Sequence, residues 1–190
     1  MNRGGVAAAI QLRAFAWTQN GDEDVLTPSQ DIILSPPIFT VAADKTQTIR
    51  LLLRPSAVGS GERAYRLLID EVPPANATDR QINIAMRISV PVIVGSAPPA
   101  GHALRWHAKR GRPGEILLSA TNTGTGYERI GAVAVTLPDG SHPDADPVAS
   151  NPYVLPGAQR HWIVHAAAAS LRLRVTSRSG ESEQGLAIDP

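Results

Sequence analysis

Ile82-Asn83-Ile84-Ala85-Met86-Arg87-Ile88-Ser89-Val90 alternates without a break. Every even position is a large apolar residue, and every odd position is small or polar. Wound into a helix, the apolar side chains would scatter around the axis. Extended, they form one ridge of five on a single face. The stretch therefore reads as a strand. Its ridge either packs wholly against the chain's own core or is presented to another polypeptide, and alternation alone fits both. Pro91 follows, and then the fully apolar run Val92-Ile93-Val94.

The same period of two recurs on both sides of this segment. Upstream, Ile10-Gln11-Leu12-Arg13-Ala14-Phe15-Ala16-Trp17 alternates, and strand character extends over Val6 to Thr18. Asn20-Gly21 suits a tight hairpin turn, and Asp22-Glu23-Asp24 beside it reads as a solvated turn. Asp31 to Val41 reads as two short strands about the Pro36-Pro37 bend. Gln47 to Arg54 is a further strand, ended by Pro55, and Ala64 to Val72 another, stopped by Pro73-Pro74. Downstream, strands are expected at Leu104–Ala108, Glu115–Asn122, Ile130–Leu137, Tyr153–Leu155, His161–His165, Ser170–Thr176 and Leu186–Ile188. Short strands with turn signals between them indicate antiparallel sandwiches. The alanine-rich stretch from Val164 to Ser170 is too short for a stable helix.

The composition agrees. Gly and Pro contribute 16 residues each, which disfavours long helices and favours turns. A chain of 190 residues is natural for two domains of roughly 95 residues. Gly95-Ser96-Ala97-Pro98-Pro99-Ala100-Gly101 is small, proline-rich and uncharged, the composition of a short stiff connector. The expected organisation is residues 1–95, a linker at 96–103, and a second sandwich at 104–190. The fold class is all-β, with two immunoglobulin-like sandwiches set at an angle.

Several function classes are disfavoured. The 18 basic and 17 acidic residues divide almost evenly between the two halves, so neither half is a basic slab for phosphates. Aromatics are 4%, which leaves few platforms for stacking bases, so no nucleic-acid partner is expected. Without cysteine there is no disulfide, thiolate metal site or cysteine nucleophile. The apolar runs are far below the roughly 20 residues that span a bilayer, so no membrane insertion is expected. The segment after Met1 is broken by Gln11 and Arg13 and reads as a strand rather than a leader.

Catalytic and metal signals are weak. His161 and His165 have the four-residue spacing of a helical metal pair, but they flank the strand-like Trp162-Ile163-Val164. Ser141-His142-Pro143-Asp144-Ala145-Asp146-Pro147 gathers a His and two carboxylates on a proline-rich loop. Gly-x-Ser-x-Gly, phosphate-loop and dinucleotide motifs do not occur. No enzyme activity, metal or cofactor is expected.

Several runs together carry a resemblance. These are Phe15-Ala16-Trp17-Thr18-Gln19, Ile33-Leu34-Ser35-Pro36-Pro37-Ile38-Phe39 and Gln47-Thr48-Ile49-Arg50. Glu62 to Pro74 and Arg87-Ile88-Ser89-Val90-Pro91-Val92 complete the set. In order and spacing over residues 2–95 they resemble the periplasmic pilus-assembly chaperones, the PapD-like family. The Arg-x-Ser-x-Pro-Val ending is similar to the archaic branch, associated with spore-coat-U-like subunits. Residues 104–190 fit the family's second domain more loosely.

The resemblance implies a function in the periplasm. Pilus subunits are sandwiches lacking a final strand, and the chaperone lends them one before delivering them to an outer-membrane usher. Here the lent strand would be Ile82 to Val90, with Ile82, Ile84, Met86, Ile88 and Val90 filling the subunit's groove. A cation is expected to meet a subunit carboxylate, and Arg66 and Arg87 are the candidates, each punctuating an apolar strand. Other members carry a lysine near the end of the lent strand, where this chain has Pro91. Family members also have a signal peptide and a first strand ahead of the Asn-x-Gly turn, which here is Asn2-Arg3-Gly4. The chain therefore reads as N-terminally truncated, whether by a mis-assigned Met, by deliberate truncation or as a true variant. The competing reading is a structural or adhesive tandem sandwich with no folding client.

Overall fold

The computed structural model describes residues 1–55, 61–73, 84–95 and 101–190. Ile82 and most of the proline-rich connector lie outside them. Among the described residues the regular elements are strands, and no helix is long and apolar enough to cross a membrane. The chain divides into two compact units: residues 1–17 with 26–94, and residues 18–25 with 95–190.

The first seven strands are β1 (Ala8–Asn20), β2 (Glu23–Pro28), β3 (Ile32–Ser35), β4 (Ile38–Val41), β5 (Arg50–Leu53), β6 (Arg63–Val72) and β7 (Arg87–Val94). One sheet runs β2-β1-β6-β7, with β4 also pairing β1, and β3 and β5 form a separate two-stranded sheet. The β1–β6 and β6–β7 ladders are antiparallel. Their registers align Leu12, Ile69 and Ile88 in one row across three strands. Leu12, Tyr65 and Leu67 on this face are buried, as are Ile32 and Val41 from other strands. Trp17, Leu68 and Asp70 are buried on the opposite face, so β1 and β6 are covered in part on both sides.

The remaining strands are β8 (Leu104–Arg110), β9 (Ile116–Asn122), β10 (Glu128–Thr136), β11 (Ala145–Pro147), β12 (Tyr153–Val154), β13 (Gln159–Val164), β14 (Ser170–Ser177) and β15 (Gly180–Asp189). They follow the order β11-β13-β9-β8-β15-β14-β10-β12. β15 pairs antiparallel with β14 over most of its length, and its end pairs parallel with β8. Leu171, Leu173 and Val175 of β14 are buried, together with Ile116 and Leu118 of β9 and Val164 of β13. Their alternation with exposed residues in β14 is that of a sheet with one dry face.

Three local expectations are corrected. The acidic segment after Asn20-Gly21 is not simply a solvated turn, because Glu23 to Pro28 forms β2. Asp22 and Asp24 are taken up by His161 and Arg160 of the second unit, to which residues 18–25 belong. Within the loop read at Ser141–Pro147, Ala145–Pro147 pairs with β13 as β11. The strand expected from Ile82 is regular only from Arg87; Met86 still accepts one backbone bond from Glu71, and Ile84 and Ala85 lie outside the strand. β6 ends at Val72, which in this register stands opposite Ala85, so Ile84 has no β6 ladder to join. The hairpin turn is as expected, with Gly21 at φ 56°, where an L side chain is strained.

Candidate functional site

β7 closes one end of its sheet. It pairs with β6 on one side, and among the described residues no strand pairs with its other side. Residues opposite one another in an antiparallel ladder alternate between hydrogen-bonded and non-bonded pairs. The Glu71 N–H donates to the Met86 carbonyl at 2.9 Å, which sets the phase. Ile88 and Val90 therefore direct their N–H groups at β6, and Arg87 and Ser89 direct theirs outward. Pro91 falls on the outward phase, so its missing N–H removes nothing from the β6 ladder.

The even-numbered side chains of this segment are open to solvent. Ile84 is 86% exposed, Met86 60%, Ile88 46% and Val90 36%. Ile88 and Val90 stand opposite Ile69 and Leu67 on the face that carries the core, yet beyond them the sheet ends. Met86 and Ile88 also line an open, largely apolar groove of about 530 Å³, with Ile10, Val41, Ile49 and Ile69 on its walls. A row of solvated aliphatic side chains beside unpaired backbone is what an added strand would cover. The ridge points toward the core side of its sheet but is not sealed there.

The basic candidates occupy the opposite face. Arg66 stands opposite Pro91 in the ladder and lays its guanidinium over the Trp17 ring at 3.8 Å. Arg87 stands opposite Asp70 and is bound to its Oδ1 through Nε. Asp70 Oδ2 also accepts from Arg13, from Nε at 3.0 Å and Nη2 at 2.8 Å. Arg87 first, and then Arg13, hold the Asp70 carboxyl below the ordinary carboxylate value, against burial acting the other way. Two guanidinium groups on one carboxylate leave a net positive charge beside the exposed edge. The structure thus brings Arg87 to the ridge strand itself, and sets Arg66 one strand further in. Asp70 has little sequence signal beyond being the first of two carboxylates, Asp70-Glu71, that close the apolar run Leu67-Leu68-Ile69.

The other clusters are internal pairings. His161 Nδ1 lies 2.7 Å from Asp22 Oδ2, whereas His165 lies 3.9 Å from both Glu115 and Asp146. His142 meets Thr136 Oγ1 at 3.1 Å. Among the described residues no group of three or more His, Asp or Glu side chains could hold a metal ion. Asn2 Oδ1 accepts from the Gly4 N–H at 2.9 Å, and its Nδ2 donates to the Val6 and Val41 carbonyls. The Asn-x-Gly turn is thereby tied to β4.

Residues 1–99 match a family described as pili and flagellar-assembly chaperone, PapD N-terminal domain. No curated protein sequence matches the chain. Among solved structures, the chain is similar to one from the CsuC–CsuE chaperone–tip adhesion subunit pre-assembly complex of archaic chaperone-usher Csu pili of Acinetobacter baumannii. The TM-score is 0.70 at 22% identity, covering 100% of this chain and 89% of that one. It is also similar to a chain of the Salmonella enterica SafA pilin–SafB chaperone complex, with TM-score 0.65, 19% identity and coverage of 98% and 85%. For the Pseudomonas aeruginosa CupB2 chaperone the values are 0.61, 15%, and coverage of 98% and 89%. At these identities the structural likeness concerns the fold: two immunoglobulin-like sandwiches.

Proposed function

The chain belongs to the family of pili and flagellar-assembly chaperones, and from that membership we propose that it binds pilus subunits through the exposed edge of β7 and delivers them to an outer-membrane usher. The family's members work in the periplasm, and we assign this chain there too. The subunits it would hold are of the spore-coat-U-like kind. Residues 1–95 would act as the chaperone domain, residues 96–103 as the linker, and residues 104–190 as the second sandwich.

The observation that carries this reading is the coincidence of an unpaired edge with a solvated apolar ridge. A subunit strand laid along β7 gains backbone bonds from the outward groups of Arg87 and Ser89, which tolerate many sequences. Side-chain register comes from Ile84, Met86, Ile88 and Val90, with Ile82 extending the same series. Complete burial is worth about 1.5–3 kcal/mol per large aliphatic side chain relative to full exposure. Several together offset the association cost of about 4–15 kcal/mol. Arg87, with Arg66 behind it, is the cation proposed to meet a subunit carboxylate.

The test is the double substitution Ile84→Asp with Met86→Asp. Both side chains are already in water, so the chain's own unfolding temperature is expected to stay where it was. Co-purification of a co-expressed pilus subunit is expected to disappear. Retention of the subunit at the wild-type level overturns the strand-lending role.

A further inference from the structure

We propose that Asp70 is a positioning residue for the docking strand: it holds Arg87 across the ladder and so fixes the register in which β7 turns Met86, Ile88 and Val90 toward the open side. This rests on reading β7 as the docking strand.

β7 is held by its ladder with β6, from Arg87 opposite Asp70 to Val94 opposite Arg63. An edge strand has one neighbour, and a slip of one residue would move its whole apolar set to the other face. A slip of two would keep the face but shift the ridge along the edge by one side chain. Among the described residues, regular pairing of β7 starts at Arg87. At that starting point two acidic residues of β6 take hold. Asp70 binds the Arg87 Nε through Oδ1. Glu71 donates its N–H to the Met86 carbonyl at 2.9 Å and accepts the Met86 N–H with Oε2 at 3.3 Å. Only the first contact discriminates between registers, because any residue presents a backbone to Glu71. A slip by two would place Ala85 or Ser89 opposite Asp70 and leave a carboxylate that is almost buried without its β7 partner.

Arg13 on β1 makes the clamp stiffer. It grips Oδ2 with two nitrogens, so Asp70 is oriented from the interior of the sheet before Arg87 binds it. The three side chains run across β1, β6 and β7 on the face opposite the ridge. The clamp leaves the ridge face itself free, and its Arg87 end is the cation proposed to meet a subunit carboxylate.

The experiment is hydrogen exchange on the full chain, comparing wild type, Asp70→Asn, Asp70→Glu and Arg87→Gln. The readout is protection at the Ile88 and Val90 amides, with β14 as an internal reference. Asp70→Asn is expected to lower protection at those two amides by about tenfold, through loss of the charge-assisted bond to Arg87 on β7 (the two bonds to Arg13 weaken on the β1 side), and to leave β14 unchanged. Arg87→Gln is expected to match it, since it removes the other half of the same contact from an exposed position. Asp70→Glu, which keeps the charge, is expected to restore a large part of the protection. Co-purification of a co-expressed pilus subunit should follow the same order for the two Asp70 variants.

Protection in Asp70→Asn within twofold of wild type overturns the proposal. So does an equal loss at β1 and β7, which would mark Asp70 as a general stabiliser of the unit. The docking reading fails separately: if Ile84→Asp with Met86→Asp leaves subunit binding intact, β7 is not the docking strand, whatever the exchange data say of the clamp.

Discussion

Ile88 stands directly opposite Ile69 across the β6–β7 ladder, yet Ile69 is half-buried and Ile88 is 46% exposed. The two share chemistry, face and row. They differ in having a neighbour: Ile69 lies between Leu12 of β1 and Ile88 itself, whereas among the described residues no strand lies beyond Ile88. Apolar surface is thus left at the rim, where water-exposed area is worth most to an incoming strand.

That asymmetry separates stability from binding. Leu67→Ala removes a buried side chain and is expected to destabilise the first unit by about 2–4 kcal/mol. Ile88→Ala, cut from a side chain already half in water, is expected to cost less than about 1 kcal/mol. For subunit co-purification the order should reverse, with Ile88→Ala the weaker binder once both variants are compared well below their unfolding transitions. Urea denaturation monitored by circular dichroism measures the first effect, and a pull-down of a co-expressed subunit measures the second.

Tyr65 gives a test at high pH. Its hydroxyl donates to Asp31 Oδ2 at 2.9 Å, and burial, followed by that bond, raises its pKa above the ordinary 10.0. A group whose folded value is raised stabilises the fold fully below its unfolded value, and that contribution fades as pH climbs through the folded one. Wild type is therefore expected to lose stability above pH 10 by an increment that Tyr65→Phe lacks. At pH 7 Tyr65→Phe is expected to be less stable by about 1 kcal/mol, for the lost bond. Unfolding temperatures of both proteins between pH 7 and 11 decide it.

What could be read in advance follows from what a strand buries. β14 keeps one dry face, so burial is written into its alternation, while β6 and β9 are apolar runs with buried residues on both faces; the positions of all three were legible to within a few residues. β2 has no buried residue, and β11 has two exposed residues out of three. Their identity as strands lies in backbone pairing, which side-chain patterns do not encode. The ridge was legible as chemistry, but its regular extent was not, because that depends on where β6 stops. Asp70 was harder still. A carboxylate in a strand has the same one-letter signal whether it is solvated or clamped between arginines from two flanking strands. The partners Arg160 and His161 of Asp24 and Asp22 lie well over a hundred residues away, beyond any local pattern.

Asp70 gives the complementary test in acid. Its carboxyl is held below the ordinary 3.8 by Arg87 and then Arg13, with Glu71 the next acidic residue on the same strand. A depressed folded value means that the stabilisation is present above the unfolded pKa and is lost as pH falls through the folded one. Wild type is expected to keep this contribution at pH 5 and to shed it below pH 4. Asp70→Asn, with no proton to gain, should show a shallower fall in unfolding temperature between pH 5 and 2. Parallel curves for the two proteins would mean that the ion pairs add nothing to the first unit's stability.

Arg160 offers the sharpest contrast between charge and geometry. It is buried in the second unit, and its guanidinium is spent on three acceptors. Nη1 donates to the Gly21 carbonyl at 2.9 Å, Nε to the Tyr153 carbonyl at 3.2 Å, and Nη2 to Asp24. A lysine carries the same charge on one nitrogen at the end of a flexible stem and cannot reach three acceptors in a planar fork. Arg160→Met is expected to cost about 3–5 kcal/mol, the range for removing one partner of a buried ion pair. Arg160→Lys should recover less than half of that, because the Gly21 carbonyl loses its Arg160 bond and the Tyr153 carbonyl keeps only its bond from Gln19 Nε2. Asp24→Asn combined with Arg160→Met should cost clearly less than the sum of the two single changes, since both remove the same pair. Chemical denaturation of the four proteins measures all three statements, and full rescue by lysine would show that charge alone holds residues 18–25 in place.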